Sequence, residues 1–159
     1  MKVLIFSALC CLFYSSVVAQ KVNLLTYDQL SQRLSQGKDT VFVVNLWATW
    51  CAPCVKELPH FEKLQRTYSA APLKVLLVSL DFKSKLKSEV EPFVKKRKLI
   101  SEVFVMNAPD QQSFIDKIDK SWSGSIPATL VVNTARERRQ FIPNELTYDE
   151  LLTIYKLNK

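Results

Sequence analysis

The chain is predicted to be an α/β protein, a mostly parallel sheet between helices, on three observations. Short β-branched and aromatic runs alternate with longer segments whose apolar residues recur every three or four positions. The alternation ends in two strands joined by a short turn and then a helix, the pattern of a sheet covered on both faces. The chain has 159 residues and two glycines, Gly37 and Gly124, a length for one core and a composition without a Gly-rich phosphate cradle.

The first segment reads as a leader. Lys2 supplies a positive start, Val3 to Val18 is apolar apart from Ser7, Tyr14, Ser15 and Ser16, and Val17-Val18-Ala19 resembles a small-residue cleavage site. This is expected to be an export signal over 1–19, with the mature domain over 20–159. The apolar stretch is marginal against the roughly 20 residues of a membrane span, so a cleaved signal is preferred to a retained N-terminal anchor, which stays open. Losing Lys2 takes the formal charge from +7 to +6.

Thr26-Tyr27-Asp28-Gln29 opens an early helix with a capping-box pattern. Thr40 to Trp47 is a buried strand. A helix follows from Pro53, whose missing N–H costs nothing in a first turn, with Val55, Leu58, Phe61, Leu64 and Tyr68 as its apolar stripe. Lys74 to Leu80 is a second strand, and Ser84 to Lys98 a helix disturbed by Pro92. Glu102 to Met106 is a strand, and Asp110 to Lys120 a helix with Phe114, Ile115 and Ile118 on one face. Ala128 to Val132 pairs antiparallel with Arg138 to Ile142 across a turn at Thr134 to Glu137. A last helix starts at Thr147-Tyr148-Asp149-Glu150, a second capping box.

Between the first long strand and its helix stands Trp47-Ala48-Thr49-Trp50-Cys51-Ala52-Pro53-Cys54. Two thiols separated by two residues can close a small disulfide and reopen it. Cys51 sits at a helix N-terminus, where unpaired N–H groups and the macrodipole favour a thiolate; such settings lower a thiol pKa from about 8.5 to roughly 3.5–7.5. Cys54, one turn on, points inward. Cys51 is therefore expected to attack a partner disulfide and Cys54 to resolve the mixed disulfide. Half a zinc site is the competing reading of Cys-x-x-Cys, but it needs about four ligands. The remaining candidates are Cys10, Cys11 and His60, and the first two lie in the leader. No metal or other cofactor is expected beyond the Cys51–Cys54 couple.

The chain resembles the thioredoxin superfamily, and within it the exported TlpA/ResA-like thiol-disulfide oxidoreductases. The likeness rests on the tryptophan-flanked Cys-x-x-Cys, on Glu57 and Pro59 in the same helix, and on Ser125-Ile126-Pro127-Ala128-Thr129 before the hairpin. It implies a thioredoxin-like fold with a central strand-helix insertion between Asp81 and Lys120, and a cis bond before Pro127 facing the cysteines. It also implies that Ile126 and Pro127, with Trp50, Ala52 and Pro53 at the rim, receive an extended substrate segment. Asn45 stands where ordinary thioredoxins place a buried aspartate. The resemblance gives proton transfer instead to Glu57, three residues after Cys54 and so on the same helix face; the bland alternative is a solvated glutamate in the first turns of a helix. Trp47 is expected in the core, Trp122 is undecided, and His60 and Asp81 are read as ordinary helix and loop residues.

The resemblance implies a periplasmic or otherwise extracytoplasmic enzyme that reduces protein disulfides and is recharged by a membrane electron donor. A dithiol oxidase or isomerase is the second reading, disfavoured because no histidine lies between the thiols. A metal-carrying or purely binding protein is the third. The basic clusters Lys95-Lys96-Arg97-Lys98 and Arg136, Arg138 and Arg139 lack a nucleic-acid motif and are read as solvated faces, so no nucleic-acid partner is expected. Oligomeric state is not predicted.

Overall fold

Each strand of the centre alternates its side chains between two helical layers, and that alternation places the motif. A computed structural model describes residues 21–159, so the expected signal over 1–19, with Cys10 and Cys11, lies outside the described residues. The elements are β1 (Asn23–Leu25), α1 (Tyr27–Ser35), β2 (Val41–Trp47), α2 (Ala52–Thr67), β3 (Leu73–Ser79), α3 (Glu91–Arg97), β4 (Glu102–Met106), α4 (Gln111–Ile118), β5 (Ala128–Asn133), β6 (Arg138–Ile142) and α5 (Tyr148–Asn158).

Among the described residues the sheet has six strands, in the order β1-β4-β3-β2-β5-β6. The pairs β1–β4, β4–β3 and β3–β2 are parallel, and β2–β5 and β5–β6 are antiparallel. This is the thioredoxin-like arrangement, and β4, from the expected insertion, lies between β1 and β3. The central strand β2 is buried along its whole length. Val41, Val43 and Trp47 point into the layer of Leu58, Phe61, Leu64, Leu151 and Tyr155 on α2 and α5. Phe42, Val44 and Leu46 point into the opposite layer, with Leu30 and Leu34 of α1 and Phe114 and Ile118 of α4. Because side chains alternate with period two, Asn45 lies on the α2 face, between Val43 and Trp47. The polar residue in this strand is thus aimed at the active-site helix.

Both capping boxes form, at Thr26 with Gln29 and at Thr147 with Glu150. Two elements differ from expectation. β1 is only three residues long, too short for a period-two signal, and tertiary pairing with β4 defines it. The segment Ser84 to Lys98 is not one helix: Lys83–Lys85 form a 3-10 turn, Leu86–Val90 a π turn, and the α-helix begins only at Glu91. Pro92 has no N–H to return to the preceding turn, so it sits at the start of α3, and the Glu91 N–H reaches back to the Leu86 carbonyl. With so few glycines in the chain, Glu137 itself takes the left-handed conformation, φ 53°, that closes the β5–β6 hairpin.

Candidate active site

β2 ends at Trp47, four residues before α2 receives Cys51 as its N-cap. The Cys51 Sγ accepts the Cys54 backbone N–H at 3.3 Å, so a helix-terminal donor that would otherwise be orphaned points at that sulfur. Cys51 and Cys54 are joined as a disulfide, with their Cα atoms 5.3 Å apart. Cys54 is completely enclosed, whereas Cys51 keeps a small accessible edge, 6% of its surface. Ala52, Pro53 and Trp50 beside it are exposed. The difference in access fits attack through Cys51 and resolution from beneath by Cys54.

The loop carrying the motif is fastened by Asp81, a residue expected from the sequence to be an ordinary loop aspartate. Asp81 is buried just past β3. Its oxygens accept the Thr49 N–H at 2.9 Å, the Thr49 hydroxyl at 2.6 Å and the Ser79 hydroxyl at 2.6 Å. Asp81 therefore clamps the turn two residues before Cys51. An aspartate two residues after a strand serine, opposite a threonine in the motif, was the only signal available, and it acquires meaning only when β2 and β3 pair with Trp47 beside Ser79.

The Ile126–Pro127 bond is cis, as the resemblance implied, and the Ile126 carbonyl oxygen lies 3.9 Å from the Cys51 sulfur. Trp122 is buried: its indole N–H donates to the Ser125 carbonyl at 2.7 Å, and its ring packs edge-on against Phe114 and tilted against Phe141. The undecided tryptophan thus props the segment that brings Ile126 to the disulfide. Trp47 is in the core, its ring tilted against that of Phe93 with centroids 5.2 Å apart. Trp50 and Phe82, 69% and 72% exposed, border a groove of about 380 Å³ that runs from Ile126 over Met106, Phe114 and Trp122.

Glu57 is not a solvated helix residue; it is fully buried. Its Oε1 accepts from Asn45 Nδ2 at 2.7 Å and its Oε2 from the Leu146 N–H at 2.8 Å. Burial is the largest influence and pushes its pKa up to about 7; the two donors pull it down, and nearby Glu145 pushes it up. A carboxyl that titrates near neutrality, one helical turn from a thiol, can take or return a proton at physiological pH. Among the described residues no group of three or more His, Cys, Asp or Glu is placed to hold a metal ion, and no helix is long and apolar enough to cross a membrane.

Comparison with known proteins matches residues 17–138 to the model of the AhpC/TSA family. The chain belongs to that family. It is a TlpA/ResA-like member of the thioredoxin superfamily: it is 26% identical to the thiol-disulfide oxidoreductase ResA of Geobacillus kaustophilus over 75% of this chain and 63% of that protein. It is 38% identical to the thioredoxin-like protein YneN of Bacillus subtilis over 45% of this chain and 40% of that one. The chain thus spans less than two thirds of the length of these relatives. Among solved structures, a thioredoxin-related protein from Neisseria meningitidis serogroup B superposes with a TM-score of 0.65 at 26% identity, covering 76% of this chain and 86% of that one.

Proposed function

We propose that the chain is a thiol-disulfide oxidoreductase that reduces protein disulfides outside the cytoplasm. The observation that carries this is the Cys51–Cys54 disulfide at the N-terminus of α2, one sulfur at the surface edge and one enclosed. In the reduced chain the Cys51 thiolate attacks a disulfide sulfur of the partner. The Cys51–partner bond forms, and the partner's other sulfur leaves as a thiolate and is protonated. Cys54 gives its proton to Glu57 and attacks the Cys51 sulfur; Cys51–Cys54 forms, and the partner's second thiolate leaves and takes a proton. Two electrons pass from the chain to the partner. Trp50, Ala52 and Pro53 form the rim for the partner, and the Ile126 backbone, next to Pro127, receives an extended segment as an added strand.

Export through the 1–19 leader to the periplasm and recharging by a membrane electron donor belong to the same reading, supported by the leader's composition and by the ResA relatives. The test is the reduction of insulin disulfides by the reduced chain, together with the reduction potential of the couple equilibrated against glutathione. A potential near thioredoxin's, about −270 mV, supports the reductase; one near the strongly oxidising end, about −120 mV, gives the oxidase instead.

A further inference from the structure

The surroundings of Glu57 suit one of its two charge states and leave the other without a matching partner. Both of its oxygens face donors, Asn45 Nδ2 at 2.7 Å and the Leu146 N–H at 2.8 Å. That suits the carboxylate, but a proton arriving on either oxygen would confront an N–H. The Leu146 donor is backbone and cannot turn. The Asn45 donor is half of a side-chain amide whose other half, Oδ1, is buried and accepts no hydrogen bond. The third member is the Thr129 hydroxyl, 3.5 Å from Nδ2 and paired with Asn45 across β2 and β5; a hydroxyl donates as readily as it accepts.

We propose that Asn45 is the positioning residue for the exchangeable proton of Glu57: its amide turns over when Oε1 is protonated, so that Oδ1 accepts the new O–H and the Thr129 hydroxyl swings to donate to the same oxygen. One rotation about a side-chain torsion gives the carboxyl a short hydrogen bond in both charge states, with no movement of the backbone. In either state one edge of the amide lacks a partner, so neither orientation is locked. A second acid at position 45 would instead set two carboxyl groups within hydrogen-bond distance and couple their titrations; the amide keeps Glu57 as the single proton carrier of the pair. The other titratable group that acts on Glu57 is Glu145 in the connection before α5, tied to Lys56 at 2.9 Å; on α2, Cys54 and His60 stand three residues to either side, β2 brings Asn45 to Glu57, and β5 brings Thr129 to Asn45. The catalytic use of the device rests on the reading of Glu57 as acceptor of the Cys54 proton.

The test is nuclear magnetic resonance of the reduced chain from pH 5 to 9, following the Asn45 side-chain amide and the Glu57 carboxyl carbon, alongside the pH profile of disulfide exchange. The Asn45 amide signals are expected to shift with the same midpoint as the Glu57 carboxyl. In Asn45→Leu, which keeps the volume but removes both the donor to the anion and the acceptor for the acid, only the extra strength of the charge-assisted bond is lost, and the Glu57 midpoint is expected to rise by no more than about one pH unit, with the break in the exchange profile following it. Amide signals that stay fixed through the Glu57 titration overturn the proposal, and so does a midpoint raised by about two pH units or more in a folded Asn45→Leu, the result of losing a donor that serves the anion alone. If that variant does not fold, the titration of the unaltered chain decides. If the amide titrates while Glu57→Gln leaves the exchange profile unchanged, the Asn45 coupling stands and the assignment of Glu57 as proton acceptor falls.

Discussion

Glu57 and Asp81 are both enclosed carboxyl side chains beside the redox pair, and their donors set them apart. Asp81 receives three, two of them from Thr49 in the loop that delivers Cys51. Glu57 receives two, one from a rotatable amide, and stands one helical turn after Cys54 on α2, with its pKa pushed up to about 7 by burial. A buried carboxyl saturated with short hydrogen bonds ties segments together. One with fewer and adjustable partners can exchange a proton. The site uses one of each: Asp81 fastens the loop that carries Cys51, and Glu57 is, on the proposed reading, the proton acceptor for Cys54.

The comparison can be broken most severely at the sulfurs themselves. Cys51→Ser is expected to abolish insulin reduction, while Cys54→Ser keeps the first attack and accumulates a mixed disulfide visible by mass spectrometry; the reverse pattern would exchange the two roles. For Glu57→Gln, loss of a general base is expected to slow resolution by about 10²-fold at pH 8, and the rise in rate through about pH 7 should flatten. A stopped-flow pH profile identical to the parent's would remove Glu57 from the mechanism.

Stability should separate the two carboxyl groups in a second way. Asp81→Ala leaves the Thr49 N–H and two hydroxyls without their acceptor and is expected to cost about 2–4 kcal/mol in urea unfolding. Glu57 behaves differently because its folded pKa is raised from 4.5 to about 7. The folded chain binds more protons than the unfolded one between these values, so stability from this group is full below about pH 4.5 and is lost as pH rises through about 7. The stability of Glu57→Gln relative to the parent should therefore climb from pH 4.5 to pH 8 by up to about 3 kcal/mol; a difference that stays flat with pH would contradict the raised pKa. The smallest effect belongs to the rim. Trp50→Ala should change stability by no more than about 0.5 kcal/mol, because the ring is 69% exposed, yet slow exchange with a protein disulfide more than with a small one such as hydroxyethyl disulfide. Equal slowing of both would deny Trp50 a part in partner binding.

Much of this was legible in one dimension. The stripe from Val55 to Tyr68, the two capping boxes and the tryptophan-flanked cysteines are local patterns, and local patterns survive translation into structure because helix caps and helix faces are built from neighbours in sequence. Pro92 was legible as a disturbance but not as a boundary, since whether the chain before it winds as an α or a π turn depends on what Leu86 and Val90 pack against. β1 left no periodic trace, because three residues with one buried side chain become a strand only beside β4.

The sequence by itself determined the alternation of strands and helices and put Cys51 at a helix N-terminus with Cys54 one turn behind. These follow from side-chain period and backbone sterics, which act over a few residues. Only the tertiary structure decided that Asp81 clamps Thr49, that Trp122 props Ile126, and that Asn45 meets Glu57. Asp81 and Thr49 are 32 residues apart and Asn45 and Glu57 12; Trp122 bonds Ser125 only three residues on, but its ring is set by Phe114 of α4 and Phe141 of β6; and the desolvation that gives Glu57 its pKa arises only once the sheet, α2 and the segment before α5 have closed over it.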